Sequence, residues 1–243
     1  MIELRDVEVK YGGSSIVEGV SFRVEPGAFV GLAGANGSGK TSLMKVIAGL
    51  LLPAKGTVLI GARAIESYGR RELARLIAGV WPRTPLSFGF TVRQLVLLGR
   101  TPHLSPMRWE TPVDQEIAVE AMQETQIAHL AERPASQLSA GELQRVFIAT
   151  ALAQQSAILL LDEPTSFLDL RQAALLSSLL ERLHRRGVTI LCASHDLALL
   201  RRHASSVVLL ADHRVAVAGD PASVLVPETL QRAFEITPEE WYD

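Results

Sequence analysis

The chain has 243 residues, with 24 lysines and arginines against 26 aspartates and glutamates, and this formal net charge of −2 argues against bulk nucleic-acid binding. Its hydrophobic content of 48% is spread over short runs such as residues 158–161 and 207–211, none near the roughly 18 apolar residues that a membrane helix needs. The single cysteine, Cys192, permits no disulfide within the chain, and the N-terminus lacks the basic and apolar regions of a signal peptide, so a cytosolic protein with one or two domains is expected.

In chain order, strands are predicted over residues 2–10 and 16–24, joined through Tyr11-Gly12-Gly13. A short apolar strand over 28–33 runs into a glycine-rich loop, followed by a helix over 41–50 and a strand over 57–60. Residues 92–99, 113–125 and 142–155 carry apolar side chains at spacings of three and four, which predicts a helical block between about residues 91 and 155. After it, a strand over 157–161, a helix over 170–186, a strand over 188–193 and a helix over 197–203 alternate as βαβ units require, predicting a parallel sheet flanked by helices. Cys192 lies in one of these apolar strands and reads as a buried residue, not a reactive thiol.

The loop is the most informative segment. Residues 34–41 read Gly-Ala-Asn-Gly-Ser-Gly-Lys-Thr, the pattern G-x-x-x-x-G-K-[ST], and a chance match in a chain of this length is roughly one in a hundred. Gly34, Gly37 and Gly39 let successive backbone N–H groups turn inward as a nest around phosphates. Lys40 adds a cation where phosphate charge is densest, Thr41 offers a hydroxyl to Mg²⁺, and the helix that begins here aims its positive end at the same anion. Asn36, Ser38 and Ser42 complete the expected contacts to a nucleoside triphosphate. Downstream, Ile158-Leu-Leu-Leu-Asp162-Glu163 suits a buried parallel strand that delivers two acids at its C-terminal end. Asp162 is the expected Mg²⁺ ligand, acting through water, and Glu163 the general base that polarises the attacking water.

Leu138-Ser-Ala-Gly-Glu142, with Ser139 a good helix N-cap, is similar to the L-S-G-G-[QE] signature of ATP-binding cassette (ABC) ATPases. The resemblance covers nearly the whole chain: Tyr11 matches the aromatic that stacks on adenine, Ser166-Phe-Leu-Asp169 the D-loop, and Ser194-His195-Asp196 the switch-histidine segment. It implies an α/β fold with a P-loop NTPase core of ABC type, an antiparallel β subdomain and an inserted α-helical subdomain, all one domain: core in 1–90 and 156–243, helical part in 91–155. It also implies a head-to-tail homodimer burying two ATP molecules, each between one subunit's Lys40 loop and the other's Ser139, Gly141 and Asp169. His195 would then hydrogen-bond the γ-phosphate and the water held by Glu163.

Two finer readings follow from the resemblance. The family's glutamine between core and helical part is missing: Pro82 occupies its position and Arg83 comes next, which predicts altered coupling or slower hydrolysis, whereas Ala140 in the signature is a mild change. The stretch from Phe88 to His103 is similar to the ATPase subunits of ferric-siderophore, haem and cobalamin importers. That implies a transmembrane permease dimer docked around residues 82–103, indirectly an extracytoplasmic ligand-binding protein, and a peripheral place on the cytoplasmic face of the cell (inner) membrane. An exporter subunit, a soluble ABC ATPase and a binding module that does not hydrolyse ATP stand as alternatives.

Overall fold

A computed structural model describes residues 1–82, 89–105 and 109–234. The chain begins with β1 (Ile2–Tyr11) and β2 (Ser14–Val24), a hairpin closed by Gly12 and Gly13. Ile2 and Leu4 point inward, then Val7 and Val9, because one extra residue at Asp6 (φ 49°) shifts the register between Leu4 and Val7. Next come β3 (Phe29–Gly34), α1 (Lys40–Ile47), β4 (Lys55–Ile60), the two-residue β5 (Arg63–Ala64), α2 (Arg70–Leu76) and β6 (Ile77–Val80). The helical block holds α3 (Val92–Leu98), α4 (Pro112–Glu124) and α5 (Ala140–Ala153). The remainder alternates as β7 (Ile158–Asp162), α6 (Leu170–Arg185), β8 (Thr189–Ala193), α7 (Leu197–His203), β9 (Ser206–Ala211) and β10 (Arg214–Gly219), then ends in α8 (Pro221–Val224) and α9 (Pro227–Phe234).

Two sheets result. The smaller is antiparallel, ordered β2-β1-β4-β5, and the larger has six strands ordered β10-β9-β3-β8-β7-β6, parallel except for the β9–β10 hairpin. Every residue of β3, β7 and β8 is buried, as expected of parallel strands covered on both faces. Their period of two sorts the side chains cleanly. Val30, Leu32, Ile158, Leu160, Leu191 and Ala193 enter a core shared with the small sheet and α1. Phe29, Leu159, Leu161, Ile190 and Cys192 face the opposite core, shared with α6, α7 and α9. Burial raises the Cys192 thiol pKa, so it stays protonated, in keeping with the sequence reading.

The helices α3, α4 and α5 close a third core around Val92, Val96, Met122, Ile127 and Val146. All three start with a reciprocal capping box: Thr91 with Gln94, Thr111 with Asp114, and Ser139 with Glu142. Buried Arg100 ties them together, donating to Asp114 Oδ1 (2.9 Å), to the Ala153 carbonyl (2.7 Å) and to Gln155 Oε1 (3.1 Å). Among the described residues no helix is long and apolar enough to cross a membrane.

Candidate active site

The carboxyl ends of the parallel strands converge on the loop between β3 and α1. Gly34 leaves β3 at φ 147°, where an added Cβ would lie 2.5 Å from the Leu210 carbonyl. Gly39 caps α1 at φ 99°, and a Cβ there would lie 2.5 Å from the Ile16 carbonyl. Both positions therefore combine left-handed backbone with lack of room, a demand that glycine meets. Between them Asn36 and Gly37 are exposed and Ser38 is buried, while Ser42 sits half-buried in the first turn of α1.

Lys40 is buried at the start of α1 and donates to the carbonyls of Gly34 (2.7 Å) and Ala35 (3.0 Å). Burial pushes its amine pKa down, an effect opposed by the negative charges of Glu163 and Asp162. Thr41 Oγ1 donates to Asp162 Oδ2 at 2.6 Å. Asp162 is fully buried at the end of β7, and burial raises its carboxyl pKa, with the Thr41 hydrogen bond acting the other way.

Glu163 follows in the left-handed region, at φ 50°. Its N–H donates to the Ala193 carbonyl (2.8 Å) at the end of β8, and its Oε2 accepts from His195 Nδ1 (2.6 Å) and the His195 N–H (3.3 Å). The strained turn thus aims Glu163 away from Asp162, so adjacent acids have separate surroundings. Lys40, Thr41, Asp162, Glu163 and His195 form one connected set.

Two buried oxygens at this site have no protein partner, Ser38 Oγ in the loop and Asp162 Oδ1. Buried polar atoms are otherwise almost always paired, and these two lie where phosphate oxygens and a divalent cation would meet the loop. Thr41 Oγ1 and the Asp162 carboxylate are hard oxygen donors of the kind Mg²⁺ takes. No cluster of three or more His, Cys, Asp or Glu able to hold a metal exists among the described residues. The donors present fit an ion that keeps several waters and shares phosphate oxygens, as Mg²⁺ does.

The remaining expected residues gather around the starts of α5 and α6. Ser139 Oγ accepts from the Glu142 N–H (3.3 Å) and donates to Glu142 Oε2 (2.8 Å), which also accepts from the Ser139 N–H (2.8 Å). Those Ser139 donors lower the Glu142 carboxyl pKa. Asp169 caps α6 by accepting from the Gln172 N–H (2.7 Å). Gly141 is pressed against this cap: an added Cβ would lie 2.2 Å from Gln172 Oε1 and 3.3 Å from the Phe167 carbonyl. Tyr11 ends β1 half exposed.

One link between the two groups was missed in the sequence. Buried Gln144, on α5, directs Nε2 at the Pro164 carbonyl (3.4 Å), directly after Glu163. A glutamine on the otherwise apolar buried face of this helix was the available signal. Pro82 follows Trp81, whose indole ring lies over Gly79, 2.7 Å from where a Cβ would be. Arg83 and Phe88 lie outside the described residues.

A phosphate loop after a central parallel strand, with an acid pair at the end of another strand, defines a P-loop NTPase-type α/β fold. The ABC transporter family matches residues 17–166, and the chain belongs to that family. It is 38% identical, over 96% of its length, to the cobalamin import ATP-binding protein BtuD of Halobacterium salinarum, and spans 58% of that protein. It is 36% identical to the hemin import ATP-binding protein HmuV of Gloeobacter violaceus, covering 96% of this chain and 87% of that one. The ferric enterobactin transport ATP-binding protein FepC of Escherichia coli is also 36% identical, covering 92% and 83%. Among solved structures, an ABC transporter assigned to the metal-chelate type in an inward-facing conformation superposes with a TM-score of 0.84 at 26% identity, covering 97% of this chain and 89% of that one. A dimeric ABC cassette bound to ADP and phosphate superposes with a TM-score of 0.81 at 26% identity, covering 91% and 99%.

Proposed function

We propose that the chain is the nucleotide-binding subunit of a membrane importer, hydrolysing ATP to drive uptake of a metal chelate of the ferric-siderophore, haem or cobalamin kind. The observation that carries the ATPase reading is the connected set around the loop, in which Asp162 and Glu163 are adjacent with different partners, together with the two unpartnered buried oxygens of Ser38 and Asp162. The import reading is supported by the names of the relatives at 36–38% identity.

In this reading Lys40 exchanges its two loop carbonyls for phosphate oxygens, and the α1 N-terminus adds its partial positive charge. Thr41 and Asp162 hold Mg²⁺, which when bound would neutralise phosphate charge and polarise the γ-phosphoryl group. Glu163 accepts the proton of a water whose oxygen attacks the γ-phosphorus as the bond to ADP breaks. His195, already donating Nδ1–H to Glu163, orients that carboxylate and would hydrogen-bond the γ-phosphate. Tyr11 stacks on the base. Ser139, Gly141 and Asp169 serve the nucleotide of a second copy, so the working unit is a homodimer on the cytoplasmic face of the inner membrane. Two permease subunits dock around residues 82–103 and a ligand-binding protein acts outside. Residues 1–90 and 156–243 form the core and 91–155 the helical part of one cassette.

The test is copurification from detergent-solubilised membranes, followed by ATPase assays with candidate chelates. Recovery of a polytopic permease and chelate-stimulated turnover are expected. A chain recovered alone, or with cytosolic partners, would overturn the transport reading while leaving the ATPase reading to its own assay.

A further inference from the structure

We infer that His213 is a positioning residue for nucleotide binding: it joins the sheet that carries Tyr11 to the sheet that carries the phosphate loop, and so sets how far the base-stacking ring stands from Lys40. The inference rests on the ATP-binding reading above. Its geometry starts at β2, the edge strand of the small sheet. An edge strand presents backbone groups with no strand partner. On β2, two of these go to a single residue of the other sheet: the Ile16 carbonyl accepts from His213 Nδ1 (3.0 Å), and the Glu18 N–H donates to the His213 carbonyl (2.8 Å). His213 thus pairs with β2 much as a strand residue would, using its ring as one of the two groups.

Both ends of this bridge reach the proposed site. Asp212 and His213 form the two-residue turn between β9 and β10, with φ of 47° and 65°, as a type I′ hairpin requires. Strand β9 pairs with β3, Gly34 lies opposite Leu210, and the loop starts there. On the other side, the Ile16 carbonyl that accepts from His213 is the atom closest to a Cβ built on Gly39, at the loop's far end. Tyr11 pairs with Ser14, two residues before Ile16. The adjacent Arg214–Glu18 pair (2.7 Å) reinforces the same junction, but its arginine is largely exposed and the pair is therefore screened. Because a carbonyl only accepts, the ring carries its proton on Nδ1. Glycine would take φ 65° with less strain, so the ring donor is what histidine adds.

The experiment measures dissociation constants for ATP and for inorganic tripolyphosphate, both with Mg²⁺, on the wild type, His213→Gly, His213→Asn and Tyr11→Ala. His213→Gly keeps the turn's backbone and removes only the ring. It should weaken ATP binding about fivefold, an effect of the size that a residue not touching the ligand has through the groups it positions, and leave tripolyphosphate unchanged. Asparagine, which tolerates positive φ and can donate from the same place, should recover most of the loss. If His213→Gly binds ATP as the wild type does while Tyr11→Ala is weakened, or if it loses both ligands equally, the positioning role is overturned. A wild type that binds neither ligand would instead overturn the nucleotide reading itself.

Discussion

The strand ends around the phosphate loop and the helix starts around Ser139 satisfy their polar groups in opposite ways. At the strand ends Asp162 is fully buried with one oxygen unpartnered, Ser38 Oγ is likewise orphaned, Lys40 is buried against its own loop and Glu163 sits at positive φ. At the helix starts Ser139, Glu142 and Asp169 use capping geometry, each hydrogen-bonded within the chain. Unpaired, desolvated groups lower stability until a ligand meets them, whereas caps stabilise the free chain. The first region is therefore built for a ligand at the expense of the fold. The second is part of the fold.

The largest effect that bears on this contrast lies behind the helix starts. Asp114→Ala would leave the buried Arg100 guanidinium without its ion pair and is expected to destabilise the protein by about 3–5 kcal/mol, read from denaturant unfolding. The Thr111 N–H, the Thr111 hydroxyl and Arg100 hold the Asp114 carboxyl pKa down to about 2. A carboxyl whose pKa is lower folded than unfolded stabilises above its unfolded pKa and loses that contribution as pH falls through the folded value. Wild-type stability should thus decline from about pH 4 towards pH 2, and Asp114→Asn should flatten that part of the profile.

Next in size, Lys40→Ala is expected to weaken ATP binding about a hundredfold, the loss of charge-assisted bonds, with an unfolding midpoint near that of the wild type. A large drop in stability would show that Lys40 supports the fold and would blur the contrast between the regions.

The contrast meets its sharpest form in a pair of conservative changes. Asp162→Asn removes a buried charge, and the ligand-free protein should gain about 1 kcal/mol, or roughly 2–4 °C in Tm, while Mg²⁺-dependent ATP binding falls. Ser139→Ala removes an N-cap and should lose about 1 kcal/mol. Equal signs for the two would break the comparison. The smallest effect is expected from Pro82→Gln, a gain of a few-fold in turnover, within about 1 kcal/mol of barrier. No change in basal or permease-stimulated turnover would refute the expectation that the missing glutamine slows hydrolysis or alters coupling.

What could be read in the sequence follows the range of the physics involved. The phosphate loop, the acids at 162–163 and the strand–helix alternation after residue 157 were legible because each is a local pattern, and the elements around them fall within a few residues of where they were expected. Helix α2 escaped because it is short and polar, with Leu73 its one buried residue. The apolar run 207–211 was visible as a run, but its pairing with β3, some 175 residues earlier, is not written in its neighbours. The His213 bridge was invisible for the same reason: it needs a turn with two positive φ values set against an edge strand from the start of the chain.

The most direct test of the account is phosphate release by the purified chain with Mg²⁺ and ATP, measured for the wild type and for Glu163→Gln. The account predicts measurable turnover in the wild type and a fall of about 10² to 10⁴-fold in the variant, with ATP still bound. Turnover by Glu163→Gln at the wild-type rate would contradict the assignment of Glu163 as the base, and with it the division of labour between the two adjacent acids.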